Sequence, residues 1–303
     1  LMVEGLGLAG MLEEPIVIVL AQRPGPSTSL ATRTEQGDLL YAINASQGEF
    51  PKIILAPGTT EECYEYGARA MNLAEKYQTP VILMTDQFLA SSNRTVEKDK
   101  IDLKSIKVDR GALLTDADLD KIEGQYKRYA FTENGISPRA LPGHPNGIFK
   151  VTSDEHNEIG EIVEEAENRI KMNTKRMKKL ETALTEMNPP KTYGPDNAEI
   201  TFLCWGSTIA PLREAMNELN LKKKNTANII QFLDLWPFPV QKTVPYLKNR
   251  KQLISVEGNY TGQLANLLRM TMGIEVDNQI LKFDGRPFSP EFILNQLKIQ
   301  NVM

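Results

Sequence analysis

Pro15-Ile16-Val17-Ile18-Val19-Leu20-Ala21 runs straight into Gln22-Arg23-Pro24-Gly25-Pro26-Ser27-Thr28, and Thr34-Glu35-Gln36-Gly37-Asp38-Leu39 follows shortly after. The first segment is a β-branched run without polar alternation, which predicts a parallel strand covered on both faces. Ligands of parallel α/β sheets sit beyond the carboxyl ends of the strands, so the polar loop hung there is the leading candidate site. Two prolines around Gly25 fix its backbone, and Arg23, the four hydroxyls before residue 33 and the carboxylates of Glu35 and Asp38 supply its chemistry. The planar fork of a guanidinium suits a substrate carboxylate or a phosphate. The same residues also suit plainer duties: Arg23 in a surface ion pair, the hydroxyls as helix caps, Pro-Gly-Pro as a tight turn.

Outward from this stretch the rhythm of an α/β protein continues. Leu39 to Ser46 reads as a short helix, and Lys52 to Pro57 and Pro80 to Asp86 as two further buried strands. Between them Thr59-x-x-Glu62 has the form of a capping box, and Tyr64, Ala68, Met71 and Leu73 or Ala74 make a helical apolar stripe as far as Tyr77. Strand, helix, strand at these intervals predicts a parallel sheet. Residues 91–155 break the pattern with charged, turn-rich sequence, and structureless segments of that length are usually functional or disordered. A long polar helix is expected from about Glu158 to Met187, with the basic run from Lys171 to Lys179 on a solvated or partner-facing side.

Residues 188–196, rich in proline and glycine, read as a linker. Beyond them the α/β rhythm resumes, with strands at Glu199 to Cys204, Ala227 to Leu233 and Gln252 to Val256. Trp205-Gly206-Ser207-Thr208 is expected to cap a helix running to about Leu219, and another helix runs from Gln263 to about Met272. The Gly-Ser-Thr turn and the turn from Gly258 to Gly262 could seat a phosphate at a helix start. Neither matches a nucleotide fingerprint, so capping is the preferred reading.

Composition narrows the function classes. The 303 residues, 41% hydrophobic and 24% charged, suffice for two domains of ordinary size. A formal charge of -4 argues against nucleic acid. Cys63 and Cys204 are too few for a disulfide framework or for the four thiolates of a [4Fe–4S] cluster. No apolar run reaches about 18 residues and no signal peptide is visible, so no membrane role is expected and the cytoplasm is the default location. Asp154-Glu155-His156-x-Glu158 could ligate a divalent ion, but acids before a helix serve its dipole, and no metal site is assigned. The first eleven residues read as a buried, glycine-notched helix with no capping signal ahead of it, so the chain is expected to begin in mid-domain.

Gln22-Arg23-x-Gly25-Pro26-Ser27-Thr28 with Thr34-Glu35-Gln36-x-Asp38-Leu39 resembles the signature of the alpha subunit of 2-oxoacid:ferredoxin oxidoreductases, of the 2-oxoglutarate type. Glu133-Asn134-Gly135-Ile136-Ser137-Pro138-Arg139-Ala140-x-Pro142-Gly143, then Asp154-Glu155-His156-x-Glu158-x-Gly160 and Val256-Glu257-x-Asn259-x-x-Gly262-Gln263-Leu264 resemble further blocks of that family in the same order. The resemblance implies two doubly wound, mainly parallel-sheet domains. These are an incomplete pyrimidine-binding domain over 1–187 with a long loop insertion, and a transketolase C-terminal-like domain over 197–303. It implies that Arg23 takes the substrate carboxylate and that Ser27 and Thr28 donate to the carboxylate or the 2-oxo oxygen. Gly25, Pro26, Glu35, Gln36 and Asp38 then hold the loop or meet a neighbouring subunit, and the region of Asp154 to Glu158 lies near the substrate.

The family's Tyr-Pro-x-Thr-Pro loop and cofactor-activating glutamate are expected upstream of residue 1, so no catalytic residue is assigned within the chain. The Gly-Asp-Gly and Asn-Asn motif for thiamine diphosphate and its Mg is also missing, which in the family belongs to the beta subunit. The resemblance assigns the iron–sulfur cluster to a partner, ferredoxin to electron acceptance and coenzyme A to acyl acceptance. Ser29 stands where the family commonly has glycine and Ala31 where it has proline, which puts loop stiffness and substrate range in question. Two alternatives stay open: another thiamine-diphosphate enzyme of transketolase or 2-oxoacid dehydrogenase beta type, and a non-catalytic assembly or regulatory protein of the same fold. Which 2-oxoacid is used is not legible.

Overall fold

The computed structural model describes residues 2–302. The chain runs through α1 (Val3–Leu12), β1 (Val17–Gln22), α2 (Leu39–Asn44), β2 (Ile53–Leu55), α3 (Thr60–Tyr77), β3 (Val81–Asp86), α4 (Gln87–Ser91), α5 (Asp116–Leu119) and α6 (Ala166–Leu184). It continues with β4 (Lys191–Tyr193), β5 (Ile200–Trp205), α7 (Ile209–Lys222), β6 (Ala227–Phe232), β7 (Asp234–Trp236), α8 (Val240–Leu247), β8 (Leu253–Glu257), α9 (Gln263–Met272), β9 (Asn278–Leu281) and α10 (Pro290–Ile299). One sheet has the order β1-β3-β2-β7 and the other β4-β6-β5-β8-β9. Each is parallel except for one antiparallel edge strand, β7 in the first and β4 in the second. The mainly parallel α/β architecture expected from the alternation of strands and helices is the one found.

The two sheets are not separate in their packing. β7 follows β6 of the second sheet in sequence yet pairs with β2 of the first, Ile54 opposite Trp236. Asp234 on β7 accepts from Tyr66 Oη at 2.9 Å and Arg69 at 2.6 Å on α3, and from Asn188 N at 2.7 Å. Lys191 to Tyr193, inside the segment expected as a linker, form β4 against β6. A single apolar core joins Leu39, Ile82 and Met84 to Leu203, Trp205, Ile230 and Phe232. Each such side chain stabilises the fold by roughly 1.5–3 kcal/mol on burial, so the halves support one another.

Four expectations are corrected. β1 is an edge strand paired with β3 alone, and Val19 is 62% exposed, so it is not covered on both faces. A Val/Ile/Leu run records β propensity and cannot report which strand lies alongside. The leading helix is only partly buried: Leu6, Ala9 and Gly10 face inward, Gly10 making room for the Phe50 ring, while Leu8 faces out. The long helix starts at Ala166 instead of Glu158, because Asn157 Oδ1 accepts from Ile159 N and Glu161 N around Gly160, whose φ of +82° is left-handed. The capping box of α3 closes on one side only: Thr59 Oγ1 accepts from Glu62 N, but the Glu62 carboxylate takes Gly58 N, Gln231 Nε2 and Lys191 Nζ.

Candidate functional site

The loop after β1 is tied down at both roots. Gln22 Nε2 donates to the Thr85 carbonyl at 3.3 Å while its Oε1 accepts from Asp38 N at 3.1 Å. Thr34 Oγ1 donates to Asp86 Oδ1 at 3.1 Å, the oxygen that also caps α4 through Leu89 N. These bonds close the loop across the carboxyl ends of β1 and β3, where the sequence located the site. Gln36 is buried: its Nε2 donates to the Trp205 carbonyl at 2.7 Å and its Oε1 accepts from Gly258 N at 2.9 Å. Gln263 Nε2 donates to the Gly37 carbonyl at 2.7 Å and its Oε1 accepts from Leu40 N at 3.1 Å.

Between these roots Arg23, Gly25, Pro26, Ser27 and Thr28 are all exposed. Arg23 makes no ion pair among the described residues, and the Ser27 and Thr28 hydroxyls cap no helix. The ion pair and helix caps considered for Arg23, Ser27 and Thr28 are therefore not found, while the tight-turn reading of Pro24-Gly25-Pro26 stands beside the site reading. Ser27 and Ser29 hold φ of +54° and +34°. L-residues pay about 1–2 kcal/mol for left-handed backbone that glycine adopts freely, which gives the serine at position 29 a physical cost. Glu35 and Asp38 are half-buried, and Asp38 precedes α2 without capping it. Burial raises the pKa of both, and the Asp38 charge adds to the rise at Glu35. Glu35 also lines a pocket of about 20 Å³ with Thr34, Ser207 and Arg286, room for one water.

Residues without an assigned role complete the arrangement. Glu257, fully buried, accepts from Trp205 Nε1 at 3.2 Å, Asn259 Nδ2 at 3.0 Å, Leu264 N at 2.7 Å and Ala265 N at 3.1 Å. Asn259 Oδ1 accepts from Gly262 N at 2.8 Å and Gln263 N at 3.3 Å. The amides that a phosphate would need at the start of α9 are thus occupied, and capping is the correct reading of that turn. The Gly-Ser-Thr turn, by contrast, supplies no side-chain cap to α7, and Thr208 Oγ1 donates back to the Trp205 carbonyl. A carboxylate shortly before a glycine-led helix was the signal available for Glu257.

The blocks at 133–143 and 154–160 lie at the other end of the first sheet, with the residues that precede β1 and β3. Glu13 is buried with Lys175 Nζ at 2.7 Å and Lys179 Nζ at 2.5 Å, and Lys179 also donates to the Gln78 carbonyl at 2.9 Å. Arg128 joins Gln78 Oε1 at 2.9 Å to the Glu13 carbonyl at 2.8 Å, and Gln78 Nε2 donates to the Ser137 carbonyl. Glu155 receives both prongs of Arg176, at 2.9 and 2.6 Å, and Arg169 at 2.6 Å. The basic run expected on a solvated face is therefore largely buried. The Asp154 to Glu158 segment lies at the amino end of the sheet, away from the loop after β1; Glu155 is engaged by arginines and starts no helix. His156 packs on Tyr129 with ring centres 4.1 Å apart, and burial lowers its pKa.

Burial alone would raise the pKa of Glu13, but Lys179 and Lys175 outweigh it and bring the carboxyl down to about 2. One carboxylate balances only one of the two ammonium groups, so burial pulls both lysines down, Lys179 to about 7.

A family model described as pyruvate flavodoxin/ferredoxin oxidoreductase, thiamine diP-bdg, matches residues 1–175. Subunit alpha of 2-oxoacid:ferredoxin oxidoreductase 1 from Sulfurisphaera tokodaii is 44% identical over 291 residues, which cover 95% of this chain and 45% of that protein. The 2-oxoglutarate oxidoreductase subunit KorA of Mycobacterium tuberculosis is 30% identical over 290 residues, 94% of this chain and 42% of that one. Among solved structures, 2-oxoglutarate:ferredoxin oxidoreductase from Magnetococcus marinus, with 2-oxoglutarate, coenzyme A and succinyl-CoA bound, matches with a TM-score of 0.85 at 34% identity, over 99% of this chain and 51% of that one. The chain spans about half the length of these relatives.

Proposed function

The chain belongs to the pyruvate flavodoxin/ferredoxin oxidoreductase family, and from that premise we propose that it is part of the alpha subunit of a thiamine-diphosphate-dependent 2-oxoacid:ferredoxin oxidoreductase. Such an enzyme decarboxylates a 2-oxoacid, passes the acyl group to coenzyme A and the electrons to ferredoxin. The observation that carries the reading is the exposed guanidinium of Arg23, unpaired among the described residues, on a loop whose roots are hydrogen-bonded to two sheets. Free charge on a fixed backbone is what recognition of an anionic substrate requires. Arg23 binds the carboxylate common to all 2-oxoacids, and Ser27 and Thr28 donate to it or to the neighbouring 2-oxo oxygen. Glu35 and Asp38 support the loop from its half-buried side. The division into a pyrimidine-binding part over 1–187 and a second domain over 197–303 belongs to the same reading.

The residues present fit the substrate and not the metal groups of such an enzyme. Among the described residues no group of three or more His, Cys, Asp or Glu side chains could hold a metal ion. Burial, with Glu62 and Asp86 nearby, pushes the Cys63 thiol up to about 11, and burial pushes Cys204 well above its usual range, so neither offers the thiolate that a cluster needs. In this reading thiamine diphosphate and its Mg are shared with or held by a beta subunit, the iron–sulfur cluster belongs to that partner, and no step is derived through them. No helix among the described residues is long and apolar enough to cross a membrane; action in the cytoplasm is part of the proposal.

The test is made on the full-length, assembled complex. Arg23→Met removes a charge-assisted contact of roughly 1.5–3 kcal/mol, which is about a ten- to hundredfold fall in kcat/KM. The fall is expected to be similar for every 2-oxoacid, because the contact is to the shared group, and Arg23→Lys is expected to fall between. Unchanged kinetics with folding and cofactor content intact would remove the site.

A further inference from the structure

We propose that the carboxyl-end crevice of the second sheet is a socket for the loop after β1, and that Gln36 is the positioning residue that sets where Arg23 is presented. The proposal rests on the reading of Arg23 given above. In an open parallel sheet the crevice lies where successive connections depart in opposite directions. In the second sheet that point is between β5 and β8: the chain leaves β5 through α7 for β6 on one side, and leaves β8 through α9 for β9 on the other.

The Gln36 side chain fills this point. It donates at 2.7 Å to the carbonyl of Trp205, the last residue of β5, and accepts at 2.9 Å from N–H of Gly258, the residue after β8. A primary amide is the side chain that can donate to one strand end and accept from the next. Its backbone is clamped as well, Gln36 N donating to the Gly258 carbonyl at 2.6 Å and Asn259 Nδ2 donating to the Gln36 carbonyl at 3.2 Å. Asn259 is in turn held by the Glu257 carboxylate at 3.0 Å.

The glycines at this end of the sheet supply an independent observation. A Cβ on Gly206, after β5, would stand 2.7 Å from Gln36 Nε2, and one on Gly258 would stand 3.2 Å from Gln36 Oε1. A Cβ on Gly285, in the turn after β9, would stand 2.9 Å from Leu30 Cδ1 and 3.2 Å from Arg33 Cβ. Three strand ends of the second sheet are thus shaped to the loop that the first sheet carries. The loop's own span adds the bond from Arg33 N to the Leu30 carbonyl at 3.0 Å, so its placement depends on what it rests against. A misplacement of about 1 Å far from the reacting atoms can cost on the order of a hundredfold in rate.

The experiment compares Gln36→Ala, Arg23→Met and the double variant in the full-length, assembled complex, together with hydrogen exchange of residues 23–33. Gln36→Ala is expected to lower kcat/KM about tenfold for every 2-oxoacid, and less than about twofold when Arg23 is already methionine, since the two act through one contact. Amide exchange over residues 23–33 is expected to rise about tenfold while α3 keeps its protection. Gly258→Ala keeps every polar group and moves Gln36 by tenths of an ångström, so it should reproduce the pattern more weakly. Additive kinetic losses or unchanged loop exchange would overturn the socket. If Arg23→Met is itself silent the carboxylate reading falls, and loop exchange alone then decides the socket.

Discussion

The two ends of the first sheet treat positive charge in opposite ways. At the carboxyl ends of its strands Arg23 is exposed, and unpaired among the described residues, on a loop held by its roots. Before their amino ends Lys175, Lys179, Arg128 and Arg176 are buried against the Glu13 and Glu155 carboxylates, the Gln78 side-chain oxygen and a few backbone carbonyls. A paired, desolvated cation is committed to the fold, while an exposed one on a rigid base remains available to a ligand. The difference teaches that a cluster of basic residues in sequence is a poor guide to which cations a fold leaves exposed.

The sharpest way to break the comparison is to remove the anion at the amino end. Glu13→Ala leaves two buried ammonium groups without their carboxylate, and breaking a buried pair typically costs about 3–5 kcal/mol. Urea denaturation should show that loss; a change under about 1 kcal/mol would mean that the cluster is not the dry, paired site described, since exposed pairs contribute that little. Next in size comes Arg23→Met at the other end, with its ten- to hundredfold kinetic effect and little change in stability, so the two substitutions should separate folding from function.

Titration sharpens the amino end further. The Glu13 carboxyl is held at about 2 against an ordinary value of 4.5, so the stability it contributes is present above pH 4.5 and lost as pH falls toward 2. Lys179 is displaced downward, to about 7 from 10.5, so between those values the unfolded chain binds more protons than the folded one and stability rises with pH. Relative to Lys179→Met, the wild-type urea midpoint should therefore climb between pH 7 and pH 10. A flat difference across that window would show Lys179 to be charged throughout.

The smallest expected effect lies in the loop itself. Ser29→Gly relieves a left-handed backbone cost of about 1 kcal/mol but adds freedom to the unfolded chain. The net gain should be positive and below about 1 kcal/mol, read as a small rise in Tm, and a fall would mean that φ +34° at Ser29 carries no strain.

Much of the local structure was legible. Ile53–Leu55 and Val81–Asp86 are strands where the apolar runs stood, Thr59 caps α3, and the loop from Gln22 to Asp38 sits at a strand end. The partners of Glu62 and Gln36 were not, because each side chain is satisfied in part by groups that local pattern does not connect. Gln36 reaches Trp205 across 169 positions, and Glu62 reaches Gln231 across the same distance.

Sequence by itself determined the strands β1, β2, β3, β5, β6 and β8, where the rigid polar loop hangs and which family the motifs resemble, since propensity, turn chemistry and spacing act over a few neighbouring residues. Only the tertiary structure decided that β1 is an edge, that β7 returns to the first sheet, and that the basic stripe of α6 is interior. The reason is physical. Whether a charge is buried depends on the free energy of its partner in space, and the partner of Lys175 is Glu13, 162 positions away.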